Sequence, residues 1–158
     1  MIIFLNGSMN AGKTTIANIL AKRIPDVALV EIDALRNMIS WMPIDKAVPI
    51  NLINAISVIR NFSNSGLNVI VPYPLSEKNY DFMIKELEDL ETKMHFFTLS
   101  PKLEKIITNR GERELEISDI ERIKHHYNIG IHNPTFGEII DNGEQTPNAT
   151  VEYIISKI

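Results

Sequence analysis

Five short runs of β-branched and aromatic residues are spaced along the chain, and the segments between them repeat their apolar residues at helical intervals. The runs are Ile2 to Asn6, Val27 to Ile32, Val69 to Val71, Met94 to Leu99 and Ile139-Ile140, and each reads as a strand. After the first strand and a loop comes a helix with Ile16, Ile19 and Leu20 in register, ending near Arg23 ahead of Pro25. The second strand hands over at Glu31-Ile32-Asp33 to a loop, and a short helix through Leu35, Met38 and Ile39 follows. Trp41-Met42-Pro43 then marks an irregular stretch.

Leu52, Ile53, Ile56, Ile59 and Phe62 define the next helix, closed by Asn64-Ser65-Gly66. A helix after Pro72-Tyr73-Pro74 carries Tyr80, Met83, Ile84, Leu87 and Leu90 on one face. Ser100-Pro101 reads as a capped helix start, Ser118-Asp119-Ile120-Glu121 as a capping box, and Asp141-Asn142-Gly143 as a turn before a last helix with Val151, Ile154, Ile155 and Ile158. Strands alternating with helices imply an α/β fold with a parallel sheet covered on both faces. Ligands of such sheets sit at the carboxyl ends of the strands, so the loop after the first strand, Asp33, Tyr73 and the segment after Leu99 should share one edge.

Length changes this picture little: 158 residues suit one domain spanning 1–158 with a sizeable core. Cysteine is absent, which excludes a disulfide framework, a thiol nucleophile and a Cys-based zinc site. The apolar runs are too short to span a bilayer, and the N-terminus lacks the basic lead-in and cleavage site of a signal peptide. A cytoplasmic protein without membrane association is expected. Sixteen Lys and Arg against twenty Asp and Glu, with no long basic run, disfavour nucleic acid as a partner.

The chemistry starts in Gly7-Ser8-Met9-Asn10-Ala11-Gly12-Lys13-Thr14, between the first strand and the first helix. Its spacing fits G-x-x-x-x-G-K-[ST], in which glycines let successive N–H groups converge on phosphate oxygens. The loop residues and Thr15 are expected to hold the nucleotide. Lys13 would reach the outer phosphates, the Thr14 hydroxyl would coordinate Mg²⁺, and the helix N-terminus adds its dipole.

Asp33-Ala34-Leu35-Arg36 suits an acceptor site, since a carboxylate can take the proton of an attacking hydroxyl while the guanidinium holds a polar or anionic group. The alternative is a helix cap beside a surface arginine. Arg110-Gly111-Glu112-Arg113 suggests a lid whose arginines stabilise the transferred group, the alternative being a solvated loop neutralised by Glu112 and Glu114. His125, His126 and His132 match no zinc spacing and read as surface or loop residues. Trp41, Met42 and Tyr73 are candidates for lining an acceptor pocket.

With these residues in place the whole chain resembles the small P-loop kinases of the nucleoside-monophosphate-kinase-like superfamily. The similar group contains adenylylsulfate kinase, the kinase domain of polynucleotide kinase and chloramphenicol phosphotransferase. The resemblance implies a P-loop NTPase three-layer α/β/α sandwich, with a five-stranded parallel sheet and an arginine-bearing lid. It also implies ATP and Mg²⁺ as cofactors, Asp33 acting on the acceptor hydroxyl with Arg36 beside it, and Arg110 and Arg113 as lid arginines. The stretch from Ile139 to Pro147 matches the turn that lies near adenine in that family. Two features depart from the pattern. No acidic residue ends the third strand at Val71-Pro72, and the paired-glycine signature of a shikimate kinase is absent.

Three functions compete on this reading. The first is an ATP-dependent kinase phosphorylating a small-molecule hydroxyl with Lys13, Asp33 and the lid arginines as catalytic residues. The second is a 5′-hydroxyl polynucleotide kinase, which would want a basic groove. The third is a non-catalytic nucleotide-binding module; a guanine-reading N-K-x-D element is absent from the sequence.

Overall fold

The computed structural model describes residues 1–39, 41–109 and 114–158. Arg110 and Arg113, on which the lid expectation rests, lie outside the described residues. The strands are β1 (Ile2–Gly7), β2 (Val27–Leu29), β3 (Asn68–Pro72), β4 (Met94–Leu99) and β5 (Glu138–Ile140). The helices are α1 (Lys13–Arg23), α2 (Ile32–Arg36), α3 (Ile44–Asn64), α4 (Glu77–Leu87), α5 (Leu103–Ile106), α6 (Ile117–Asn128) and α7 (Pro147–Ile155). Among the described residues five strands form one all-parallel sheet in the order β2-β3-β1-β4-β5, covered by helices as expected.

β1 is apolar from Ile2 to Leu5 because that stretch is buried on both faces. Ile2 and Phe4 join Val69, Val71, Leu52, Ile59, Met83 and Leu87 in one core. Ile3 and Leu5, pointing the other way, join Ile16, Leu20, Phe97, Leu99, Val151 and Ile154 in a second. α3 and α4 therefore cover one face of the sheet, and α1 and α7 the other. Phe4 and Phe96 stack across the β1–β4 pair with centroids 4.5 Å apart, and the Arg23–Glu152 ion pair links α1 to α7. Among the described residues no helix is long and apolar enough to cross a membrane.

Several boundaries differ from the sequence reading: α2 ends at Arg36, short of Met38 and Ile39, α4 at Leu87, short of Leu90, and α7 at Ile155, short of Ile158. β2 stops at Leu29, and Ile32 and Asp33 already belong to α2. The Val30 N–H still donates to the Ile70 carbonyl at 2.9 Å, but the next bond of the ladder would need an N–H on residue 72, a proline. Ser100-Pro101 does not start a helix. The Ser100 N–H extends the β4–β5 ladder by donating to the Ile140 carbonyl at 2.8 Å, so α5 begins only at Leu103. The cap of α6 is Glu116 rather than Ser118, and the Glu116 N–H donates to Asp119 Oδ2 at 3.4 Å.

The chain leaves β1 for the β2 edge, returns through β3, and then crosses to β4 and β5 on the other side. This reversal opens a crevice at the carboxyl end of β1, the position where ligands bind in sheets of this kind.

Candidate active site

The loop from Gly7 to Gly12 lies in that crevice. Gly7 at φ +136°, Asn10 at +64° and Gly12 at +95° place three residues in the left-handed region within one turn of chain, which curls the backbone into a concave run of N–H groups. A side chain at residue 7 is excluded, because a Cβ there would lie 2.5 Å from the Leu99 carbonyl oxygen. Asn10 tolerates its conformation while its amide donates to the Ile106 carbonyl at 2.8 Å and the Thr108 carbonyl at 3.1 Å, tying the loop to α5. Lys13 Nζ donates to the Gly7 and Ser8 carbonyls at 3.0 and 2.7 Å, which holds the ammonium over the hollow of the loop.

A cavity of about 310 Å³ opens here. Met9, Asn10, Gly12, Lys13, Thr14 and Thr15 line it, whereas Gly7, Ser8 and Ala11 lie buried beneath and serve the loop through its backbone. Asp33, in the first turn of α2, lines the same cavity opposite. Arg36 follows one turn later, half-buried and outside that lining.

The other wall is α6, and it carries the residues that sequence reasoning missed. Arg122 and His126, one helical turn apart, both line the cavity. His126 is not the surface residue expected from its sequence surroundings. It is only 6% exposed, and its Nδ1 accepts from the Met9 N–H at 3.3 Å and lies 3.3 Å from Ser8 Oγ. Burial, reinforced by the charges of Arg122, Lys13 and His125, pulls its pKa down to about 4, so the imidazole is neutral at physiological pH. The Arg122–His126 spacing was the available signal, although His125 beside it could equally have faced inward.

A third missed residue, Asn142, donates from Nδ2 to the Ala11 carbonyl at 2.9 Å and braces the loop from behind. It also borders a cavity of about 280 Å³ with Thr15, Gln145 and Pro147, within the stretch expected near adenine.

On the far side of Arg122 lies a cavity of about 450 Å³ that shares Pro74, Arg122 and His126 with the first. Tyr73 lines it, 7% exposed. Burial pushes its phenol pKa up, Asp33 adds to that shift, and Arg122 and Arg36 oppose it. Trp41, expected beside Tyr73, is 80% exposed and outside this lining.

The donor set suits a triphosphate and a hard cation. The curled loop and Lys13 match an anion. The Thr14 hydroxyl and Asp33 carboxylate share the cavity, and Mg²⁺ characteristically takes one or two protein oxygens and completes its shell with phosphate and water. Among the described residues no group of three His, Asp or Glu could hold a metal by itself.

No protein-family model and no curated protein sequence matches the chain. Its backbone does match solved structures. A tunicamycin resistance protein of Deinococcus radiodurans superposes with a TM-score of 0.71 at 22% identity, over 99% of this chain and 94% of that one. A sugar kinase from Janibacter gives 0.74 at 18% identity, over 98% and 92%. A gluconokinase of Sinorhizobium meliloti gives 0.67 at 16% identity, over 98% and 89%. The chain has a P-loop kinase fold. In this chain the curled loop after β1 and α6, with Arg122 and His126, line one cavity.

Proposed function

We propose that this protein transfers the γ-phosphoryl group of ATP to a hydroxyl of a small-molecule acceptor. The observation that carries the reading is that Lys13, Thr14, Asp33 and Arg122 all line one cavity at the carboxyl end of β1. A triphosphate seated on the loop would draw the Lys13 ammonium from the Gly7 and Ser8 carbonyls onto its outer oxygens. Mg²⁺ held at Thr14, with Asp33 near it, would supply charge neutralisation between the phosphates. The acceptor hydroxyl enters from the Tyr73 side, its oxygen bonds to the γ-phosphorus as the bond to the bridging oxygen breaks, and its proton passes to Asp33. Arg122 faces the charge that spreads over the transferred group. Arg110 and Arg113 are proposed as lid arginines, Arg36 as an acceptor contact, and the cavity beside Asn142 as the purine site. The cytoplasm is the proposed compartment.

The test is ATP turnover over a panel of sugars, nucleosides, antibiotics and 5′-hydroxyl oligonucleotides, run on the parent, Lys13→Ala and Asp33→Asn. Lys13→Ala should abolish transfer. Asp33→Asn should lower turnover about 10²–10⁴-fold, the usual contribution of a general base, with little change in ATP affinity and with half-saturation moved to higher Mg²⁺. Parent-level transfer by Asp33→Asn on an acceptor that Lys13→Ala cannot phosphorylate would return Asp33 to a merely structural role. Preference for the oligonucleotide would replace the small-molecule reading with the polynucleotide one.

A further inference from the structure

The acceptor cavity does not end at Tyr73. It shares Ile44, Val48 and Asn79 with a third hollow, a groove of about 560 Å³ between α3 and α4, just as it shares Pro74, Arg122 and His126 with the phosphate cavity. The three hollows thus adjoin in series, and their chemistry changes along the way. The phosphate end holds Lys13, Asp33 and Arg122. The middle mixes Ser76 and Asn79 with Tyr73, Ile129 and Ile131.

The far groove is mainly apolar. Ile44, Val48 and Leu52 recur every four residues along one stripe of α3, with Ile53 beside them and Phe82 facing them from α4. Asp45 and Lys78 are its charged residues.

Apolar surface is left in water along this path: Ile44 is 49% exposed, Ile53 55% and Ile129 48%. A polyhydroxylated acceptor that reached the groove would lose water from its hydroxyls against aliphatic walls and recover few hydrogen bonds. An apolar group reaching the same place gains by covering that surface.

Resting on the kinase reading above, we propose that the acceptor is an amphipathic alcohol. Its hydroxyl-bearing head lies in the cavity beside Arg122 and Tyr73, and its apolar extension runs over Val48 into the α3–α4 groove toward Ile53 and Phe82. Continuity with the phosphate cavity selects this occupant over an unrelated partner, because the apolar groove begins where the acceptor cavity ends.

The experiment uses one polar head with a graded tail: the methyl, butyl, hexyl and octyl ethers of glycerol, kept below their micellar concentrations. Binding is measured by calorimetry without ATP, and phosphorylation with ATP and Mg²⁺, on the parent and on Ile53→Glu and Val48→Phe. Affinity for the parent should rise about fourfold per buried methylene until the groove is full, and kcat/KM should follow. Ile53→Glu puts a charge in the groove and Val48→Phe narrows its entrance; each should flatten the chain-length gain measured within that variant.

Chain-length-independent binding by the parent overturns the proposal whatever the kinase activity. An undiminished gain in both variants overturns the groove as its location. Tail-dependent binding that both variants lose, with no ATP turnover on any acceptor of the wider panel, sinks the kinase reading and leaves the groove as the binding site. Transfer to short polar acceptors with no gain from the tail does the reverse.

Discussion

Asn6 is fully buried at the end of β1 and joins three separate parts of the chain. Its Nδ2 donates to Thr98 Oγ1 at 3.1 Å and to the Ile131 carbonyl at 3.2 Å, and its Oδ1 accepts the Leu75 N–H at 2.7 Å. Asn6→Ala would leave the Leu75 N–H and the Ile131 carbonyl without these partners, on residues that are 1% and 4% exposed. Each orphaned buried group costs about 1–3 kcal/mol. The Thr98 hydroxyl can rotate, and the lost amide no longer needs desolvation, so a net loss of about 3 kcal/mol is expected. For a domain of this size that lowers Tm by roughly 6–12 °C. Urea and thermal unfolding of Asn6→Ala measure it, with Thr98→Val as the control at about 1 kcal/mol. Because Leu75 follows Pro74 and Ile131 lines the cavity proposed for the acceptor, KM for the acceptor should rise more than KM for ATP. A loss below about 0.5 kcal/mol, the range of ordinary surface substitutions, would refute the bridging role. A loss from Thr98→Val as large as that from Asn6→Ala would do the same.

Three further expectations concern the crevice. Arg122→Ala should lower turnover by about 10²-fold or more while changing ATP affinity much less, with partial recovery in Arg122→Lys; equal small changes in both parameters would remove Arg122 from the reaction. His126 has its folded pKa lowered from 6.5 to about 4, so below pH 6.5 the unfolded chain binds a proton that the folded one refuses. Its contribution to stability is complete above pH 6.5 and lost as pH falls toward 4, on the order of 2 kcal/mol after allowance for solvent near the cavity. His126→Gln should remove that part of the slope in unfolding free energy between pH 7 and pH 4, and an unaltered slope would contradict the burial argument. Gly7→Ala should cost about 3 kcal/mol or more, since its Cβ meets the Leu99 carbonyl oxygen at 2.5 Å. Gly12→Ala, whose Cβ has no neighbour closer than 3.7 Å, should cost only about 1–2 kcal/mol of backbone strain; the reverse order in thermal unfolding would refute the packing argument.

What could be read without a structure was local. The curled loop after β1, proposed to hold phosphate, is set by torsions of residues adjacent in sequence, so Gly7, Gly12, Lys13 and Thr14 announce it by type and spacing. The five strands and the helix faces followed from periodicity, and their alternation implied the parallel sheet. Asp33 was legible because the carboxyl ends of parallel strands share one edge, although its place in α2 rather than in β2 turned on Pro72, a residue of the neighbouring strand.

The rest depended on which distant segments the strand order β2-β3-β1-β4-β5 brings together. Ser8 and His126 are 118 residues apart and Ala11 and Asn142 are 131 apart. Nothing local to α6 distinguishes His126, buried against the loop after β1, from His125, which is exposed and borders only the neighbouring cavity. The groove between α3 and α4 is likewise invisible in either helix alone, since an apolar stripe reads the same whether a neighbouring helix covers it fully or leaves a gap. Sequence by itself determined the loop, which is set by the torsions of adjacent residues, and the layers, which are written in the periodicity and alternation of the elements. Only the tertiary structure decided the second wall of the crevice and the groove that adjoins it, because those arise from the packing of elements whose separation in sequence carries no trace of their proximity in space.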